Sequence, residues 1–154
     1  MNGAILEPGR NVWRIERARR AAVLVDGADF FGAVRATLLN AQRSIFIVGW
    51  DIDSRTRLVG EQETPPDGYS AMLAELLTQL VDRRPNLHVY LLLWDYSIVY
   101  AGERELLPRL SLDWATPPRV SLCLDDAVPF GSSQHQKLIV VDDAVAFSGG
   151  LDLT

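Results

Sequence analysis

One cysteine, one lysine and two histidines occur in 154 residues. A lone thiol, Cys123, cannot close an internal disulfide, so the fold does not depend on an oxidising compartment. No apolar run nears the ~20 residues that a bilayer-crossing helix needs. The first twenty residues hold no apolar stretch of signal-peptide length, which points to a cytoplasmic location. There is no cysteine–histidine cluster with metal-ligand spacing, so neither a metal nor another cofactor is expected. The scarcity of lysine is the sharpest of these absences. Fourteen arginines supply nearly all the positive charge, and Lys137 alone departs from that habit, two residues after His135.

What is present is globular: 48% apolar and 23% charged residues, enough for a core without metal or disulfide support. The net charge of −5 is uneven. Residues 1–20 carry five arginines against two glutamates, and the remaining 134 residues carry ten basic and eighteen acidic groups. The expected organisation is therefore a basic N-terminal arm, 1–20, followed by one domain, 21–154. An acidic body disfavours nucleic acid as a partner. The arm, with Arg10, Arg14, Arg17, Arg19 and Arg20, reads as a solvated leader, with contact to anionic lipid at a membrane periphery or to nucleic acid as the alternatives.

The apolar run Ala21–Val25 reads as a strand closed by Asp26-Gly27. Phe30, Phe31, Val34, Leu38 and Ala41 fall at helical spacing with Asp29 as cap. Ser44–Gly49 reads as a buried strand and Trp50–Tyr69 as a loop. Ser70 is placed to cap a helix striped by Met72, Leu73, Leu76, Leu77 and Leu80, which ends at Pro85-Asn86. His88–Trp94 is a strand, Ile98–Leu110 a helix and Val120–Leu124 a strand. Lys137–Val141 and Ala144–Ser148 form a hairpin around Asp142-Asp143. The order β-α-β-α-β-α-β-β-β predicts an α/β fold: a largely parallel, mixed sheet flanked by helices on both faces. No closing helix follows Ser148, so the domain reads as truncated at its C-terminal end.

Chemistry concentrates in Gln134-His135-Gln136-Lys137-Leu138-Ile139-Val140-Val141-Asp142. On a strand, His135 and Lys137 would share a face, with Cβ atoms roughly 6–7 Å apart. An imidazole exchanges protons near neutral pH, and an ammonium is a compact charge for a phosphoryl oxygen. Asp142 is placed as the carboxylate that orients the ring or holds Lys137. The chemistry suggested is metal-free attack on a phosphodiester. Strand ends elsewhere supply lesser candidates for the cleft: Asp95 and Tyr96, and Asp51, Asp53 and Arg55. Trp50, Trp94 and Trp114 read as core or rim, with the lining of a lipid pocket as the alternative. Asp125 and Asp126 read as a turn.

His135-x-Lys137 followed by four residues and Asp142 matches the HKD signature of the phospholipase D superfamily. The continuation Gly149-Gly150-Leu151-Asp152-Leu153 resembles the Gly-Gly-Leu/Ile-Asp-Leu of phospholipases D proper, whereas other branches place Ser and Asn at the positions of Gly150 and Asp152. Val25-Asp26-Gly27 with Phe30-Phe31, Ser44–Trp50 and Leu91–Asp95 resemble the amino half of bacterial phospholipase D-like proteins. The resemblance implies a half domain carrying the first of two HKD motifs. Phospholipid is the implied substrate, and a missing second half or a homodimer partner completes the site. His135 would be nucleophile or acid/base partner, Lys137 the phosphate clamp, Asp142 the supporting carboxylate. Gly150, Asp152 and Asp95 would line the substrate. His88 lacks a following lysine and sits in an apolar strand, so it does not supply a second motif. The chain alone is expected to turn over little or nothing. A homodimeric nuclease of the superfamily and a non-catalytic phosphate-binding or assembly module are the alternative functions.

Overall fold

The computed structural model describes residues 5–95, 117–127, 129 and 132–154. The helix expected over Ile98–Leu110, together with Tyr96 and Trp114, lies outside them. Helix α1 spans Asp26–Leu38, strand β1 Ser44–Gly49, helix α2 Leu73–Arg83 and strand β2 His88–Trp94. Strands β3, β4 and β5 span Val120–Asp125, Leu138–Val141 and Val145–Ser148. The five strands form one sheet in the order β3-β2-β1-β4-β5. The pairings β1–β2 and β2–β3 are parallel, and β1–β4 and β4–β5 antiparallel. This is the mixed α/β architecture that the alternating pattern predicts.

Alternation along the strands sets the core. Ile45 and Ile47 of β1, Val89, Leu91 and Leu93 of β2, and Ile139 and Val141 of β4 are buried on one face. Val34 and Leu38 of α1 and Leu73, Leu76, Leu77, Leu80 and Val81 of α2 join the same buried cluster. Both described helices cover this one face. The opposite face is also apolar: Phe46 and Tyr90 stack at 4.7 Å between ring centroids, and each is 40% exposed.

Arginines close the helix ends. Arg84 donates to Ala41 O and Leu39 O at 2.6 Å each, satisfying carbonyls just past the end of α1. Arg35, 5% exposed, pins the loop after β1. It donates to Ser70 O at 2.6 Å and to both carboxylate oxygens of Asp67 at 2.9 Å.

Three local expectations are corrected. Ala21–Val25 is not a strand; it lies outside the sheet, whose edges are β3 and β5, and Val23 is 90% exposed. Asp26, not Asp29, starts α1. It takes φ +71°, and its Oδ1 accepts from Ala28 N and Asp29 N. Ser70 acts two residues upstream of Met72, the cap residue of α2. Its hydroxyl accepts from Met72 N and donates to Glu75. In both cases a short polar side chain accepts from a backbone N–H at the start of the helix two residues ahead of it.

Candidate active site

The antiparallel pairing of β4 on β1 decides where His135 and Lys137 fall. Val48 pairs with Leu138, so the segment before β4 runs past the C-terminal end of β1. In open α/β sheets that end of the parallel strands is where ligand crevices form. Neither His135 nor Lys137 is itself in a strand, contrary to the expected Lys137–Val141. The ladder runs out there: β1 ends at Gly49, β5 ends at Ser148, and the last contact is Gly149 N to Lys137 O at 3.4 Å. The two side chains are therefore set by their neighbours rather than by strand alternation.

Lys137 turns inward. Its Nζ lies 3.0 Å from Asp152 Oδ2, and the two side chains are 8% and 12% exposed. The ammonium makes no hydrogen bond of good geometry, so the contact is an ion pair at hydrogen-bond distance. The other oxygen of Asp152 accepts from Trp50 N at 3.1 Å, with Asp51 N more distant at 3.5 Å. One carboxylate thus fastens the lysine to the exit of β1. Lys137 and Asp152 line a cleft with Gly49, Asp51, Phe30 and Leu151.

His135 is exposed and sets its ring edge-on to Trp50, 5.8 Å between centroids. Trp50 in turn stacks on Trp94 at 6.0 Å. The histidine faces Trp50 and the lysine faces Asp152, while Asp152 also holds the backbone of Trp50. The pair is joined through that residue rather than through a common partner.

The C-terminal segment is tied down on the same side. Asp53 N donates to Leu153 O at 2.9 Å and Thr56 Oγ1 to the same oxygen at 2.8 Å. Gly150 lies exposed in the bend between β5 and Asp152. Asp95 is exposed at the neighbouring end of β2, its N–H donating to Asp125 O. Asp125 Oδ1 accepts from Ala127 N, the turn expected there.

Asp142 is elsewhere. It sits at the far end of β4, five residues from Lys137, or roughly 16 Å at ~3.3 Å per residue. Its oxygens accept from Gln42 N, Arg43 N and Ser44 N at 2.8, 2.7 and 2.9 Å, and the bond from the Ser44 N–H to Asp142 Oδ1 sets the start of β1 in register. Arg43 closes the loop by donating to Asp142 O at 3.0 Å. Burial would raise the Asp142 pKa, but the backbone N–H groups of Ser44, Arg43 and Gln42 outweigh it and hold the carboxyl below the ordinary aspartate value. Asp142, expected to orient the ring or hold Lys137, instead fixes the β1–β4 frame through Gln42, Arg43 and Ser44. Asp152 is the residue that holds the lysine.

Gly49 marks how tightly the carboxylate is seated. A Cβ there would stand 3.0 Å from Asp51 O and 3.3 Å from Asp152 Oδ1. Gly49→Ala is expected to displace Asp152 and cost about 2 kcal/mol of stability, in the range of overpacked sites. Thermal denaturation checks it, and an unchanged Tm would mean that the clamp has slack.

Trp50, for which the sequence favours core or rim packing over a place in a lipid pocket, is the ring that His135 meets. Its signal was a tryptophan directly after a buried strand ending in glycine. Among the described residues no three His, Cys, Asp or Glu side chains converge as metal ligands. No helix among them is long and apolar enough to cross a membrane.

No family model matches the chain. Curated relatives do. The chain is 30% identical over 139 residues to phospholipase D C of Dictyostelium discoideum, covering 84% of this chain and 8% of that protein. It is 30% identical over 129 residues to phospholipase D2 of Bos taurus, covering 84% of this chain and 13% of the relative. It is 29% identical over 146 residues to phospholipase D zeta 1 of Arabidopsis thaliana, covering 87% and 12%. The chain thus spans between 8% and 13% of the length of these relatives. The similarity to phospholipases D runs over most of the chain, and the α/β fold is consistent with a phospholipase D-like half domain.

Proposed function

We propose that this chain is the first-motif half of a phospholipase D-type phosphodiesterase acting on phospholipids. The observation that carries the reading is the placement of His135 and Lys137 at one end of the sheet, with the lysine lining a cleft. The similarity to proteins named phospholipase D supports it.

In this reading one imidazole nitrogen attacks phosphorus. A P–N bond forms as the P–O bond to the head-group alcohol breaks, and a second histidine, from another half or another copy, gives that oxygen its proton. The same second histidine then takes a proton from water or an incoming alcohol, whose oxygen displaces the imidazole. His135 serves as nucleophile or as this acid/base partner. Lys137 offsets charge on the phosphoryl oxygens. A phosphate entering the cleft competes with Asp152 for the ammonium, so binding to the isolated chain is weak.

Phosphatidylcholine hydrolysis and DNA cleavage, assayed side by side with vanadate binding, test the proposal. The 154-residue chain is expected to bind vanadate through His135 and turn over neither substrate. A form supplied with a second His-x-Lys half is expected to release choline and to lose that activity with His135→Ala. DNA cleavage by a dimer of this chain would place it with the nucleases instead. A melting temperature indifferent to vanadate would favour an assembly module.

A further inference from the structure

We propose that the segment before α1 is an anchor for an anionic lipid surface. The inference rests on its own observations and not on the phosphodiesterase reading. Between Ile5 and Val25 the chain forms no helix or strand, only a tight turn in which Glu7 N donates to Asn11 Oδ1. Yet it carries large apolar side chains out in water: Ile5 is 88% exposed, Trp13 84%, Ile15 53% and Leu6 50%. Side chains of this size left in solvent beyond the core mark an interaction segment.

The charge accompanying them is net positive. Arg10, Arg14, Arg17, Arg19 and Arg20 face only Glu7 and Glu16 within the arm. Arg10 pairs with Glu7 and Arg14 with Glu16, both exposed and so weak. Arg17, Arg19 and Arg20 make no ion pair among the described residues. The Arg14 guanidinium also lies over the Trp13 ring at 4.6 Å, which keeps a cation beside the one exposed indole of the arm. Arginine beside tryptophan and aliphatic side chains fits a headgroup layer: the cations meet phosphate and carboxylate, the apolar groups enter the acyl boundary. A nucleic-acid backbone would use the arginines and leave Ile5, Leu6 and Ile15 without a purpose. The acidic body, residues 21–154 with ten basic and eighteen acidic groups, is repelled by the same surface. Binding must therefore come through the arm.

Sedimentation with vesicles of phosphatidylcholine containing about 30% phosphatidylserine, against phosphatidylcholine alone, tests this at ~0.1 M salt. The chain is expected to bind the anionic vesicles and to be released as salt rises. Arg17, Arg19 and Arg20 changed together to Ser should weaken binding on the order of a hundredfold, at about fivefold per arginine near the surface. Ile5, Trp13 and Ile15 changed to Ser should weaken it with charge intact. Both variants should keep the parent Tm, because the arm lies outside the core, and an unchanged Tm separates lost binding from lost fold. Absence of binding at low salt, or binding that neither variant alters, overturns the proposal. So does equally tight binding to duplex DNA that survives the apolar substitutions, which would make the arm a nucleic-acid contact.

Discussion

Asp152→Ala is expected to lower stability by about 3 kcal/mol, the largest single effect anticipated for this chain. The substitution strands the Lys137 ammonium, whose side chain is 8% exposed, and leaves Trp50 N without its acceptor. For a domain of this size that is a fall of roughly 6–12 °C in Tm. Removing both charges, as Lys137→Met with Asp152→Leu, should recover much of the loss. A buried pair costs more to break than to replace with apolar groups. Asp152→Asn separates structure from chemistry. The amide oxygen can still accept from Trp50 N, while the countercharge beside Lys137 is gone. Vanadate binding should then tighten about tenfold, the worth of one charge-assisted hydrogen bond. Binding that weakens instead would mean that Asp152 itself contacts the oxyanion.

Asp142→Ala is expected to cost about 2 kcal/mol while leaving vanadate affinity unchanged. It removes the acceptor for three consecutive backbone N–H groups, Gln42 to Ser44, at the opposite end of β4 from Lys137. Water can reach part of this exposed turn, which keeps the figure below that for Asp152→Ala. The pH dependence has a definite sign. Asp142 has its pKa depressed in the folded state, so its contribution is fully present above the unfolded carboxylate pKa of about 3.9 and is lost as pH falls through the lower folded value. Asp53, held down first by its side-chain bond to Arg55, acts in the same direction. So does Asp67, where the Tyr69 N–H and Arg35 outweigh burial. The chain should therefore lose stability below about pH 4, and Asp142→Asn should flatten that loss. An acid limb of the same steepness in the variant would assign the effect to other carboxylates.

Strands with apolar residues on both faces, Ser44–Gly49 and His88–Trp94, were legible to the residue because parallel-sheet burial leaves little choice of period. Ala21–Val25 is as apolar, yet it forms no strand. Whether an apolar run becomes a strand depends on a free neighbour in the sheet, and local sequence does not contain that information. The site was half legible. The spacing of His135 and Lys137 picks out the two side chains in the sequence, but which carboxylate holds the lysine is a matter of register. Asp142 is five residues from Lys137 in sequence and a strand length away in space; Asp152 is fifteen residues away and 3.0 Å distant. The hairpin turn, where Asp142 and Asp143 both take φ +55°, is what folds the second carboxylate back to the lysine.

The chain's two histidines allow a direct test of the oxyanion site, because His88, exposed at the N-terminal end of β2 and stacked on Tyr90, serves as an internal control. Imidazole resonances followed by NMR during a vanadate titration should show His135 shifting in a saturable way and His88 unmoved. Lys137→Met should abolish that response. Silence at His135, or equal shifts at both rings, would contradict an oxyanion site at the head of β4.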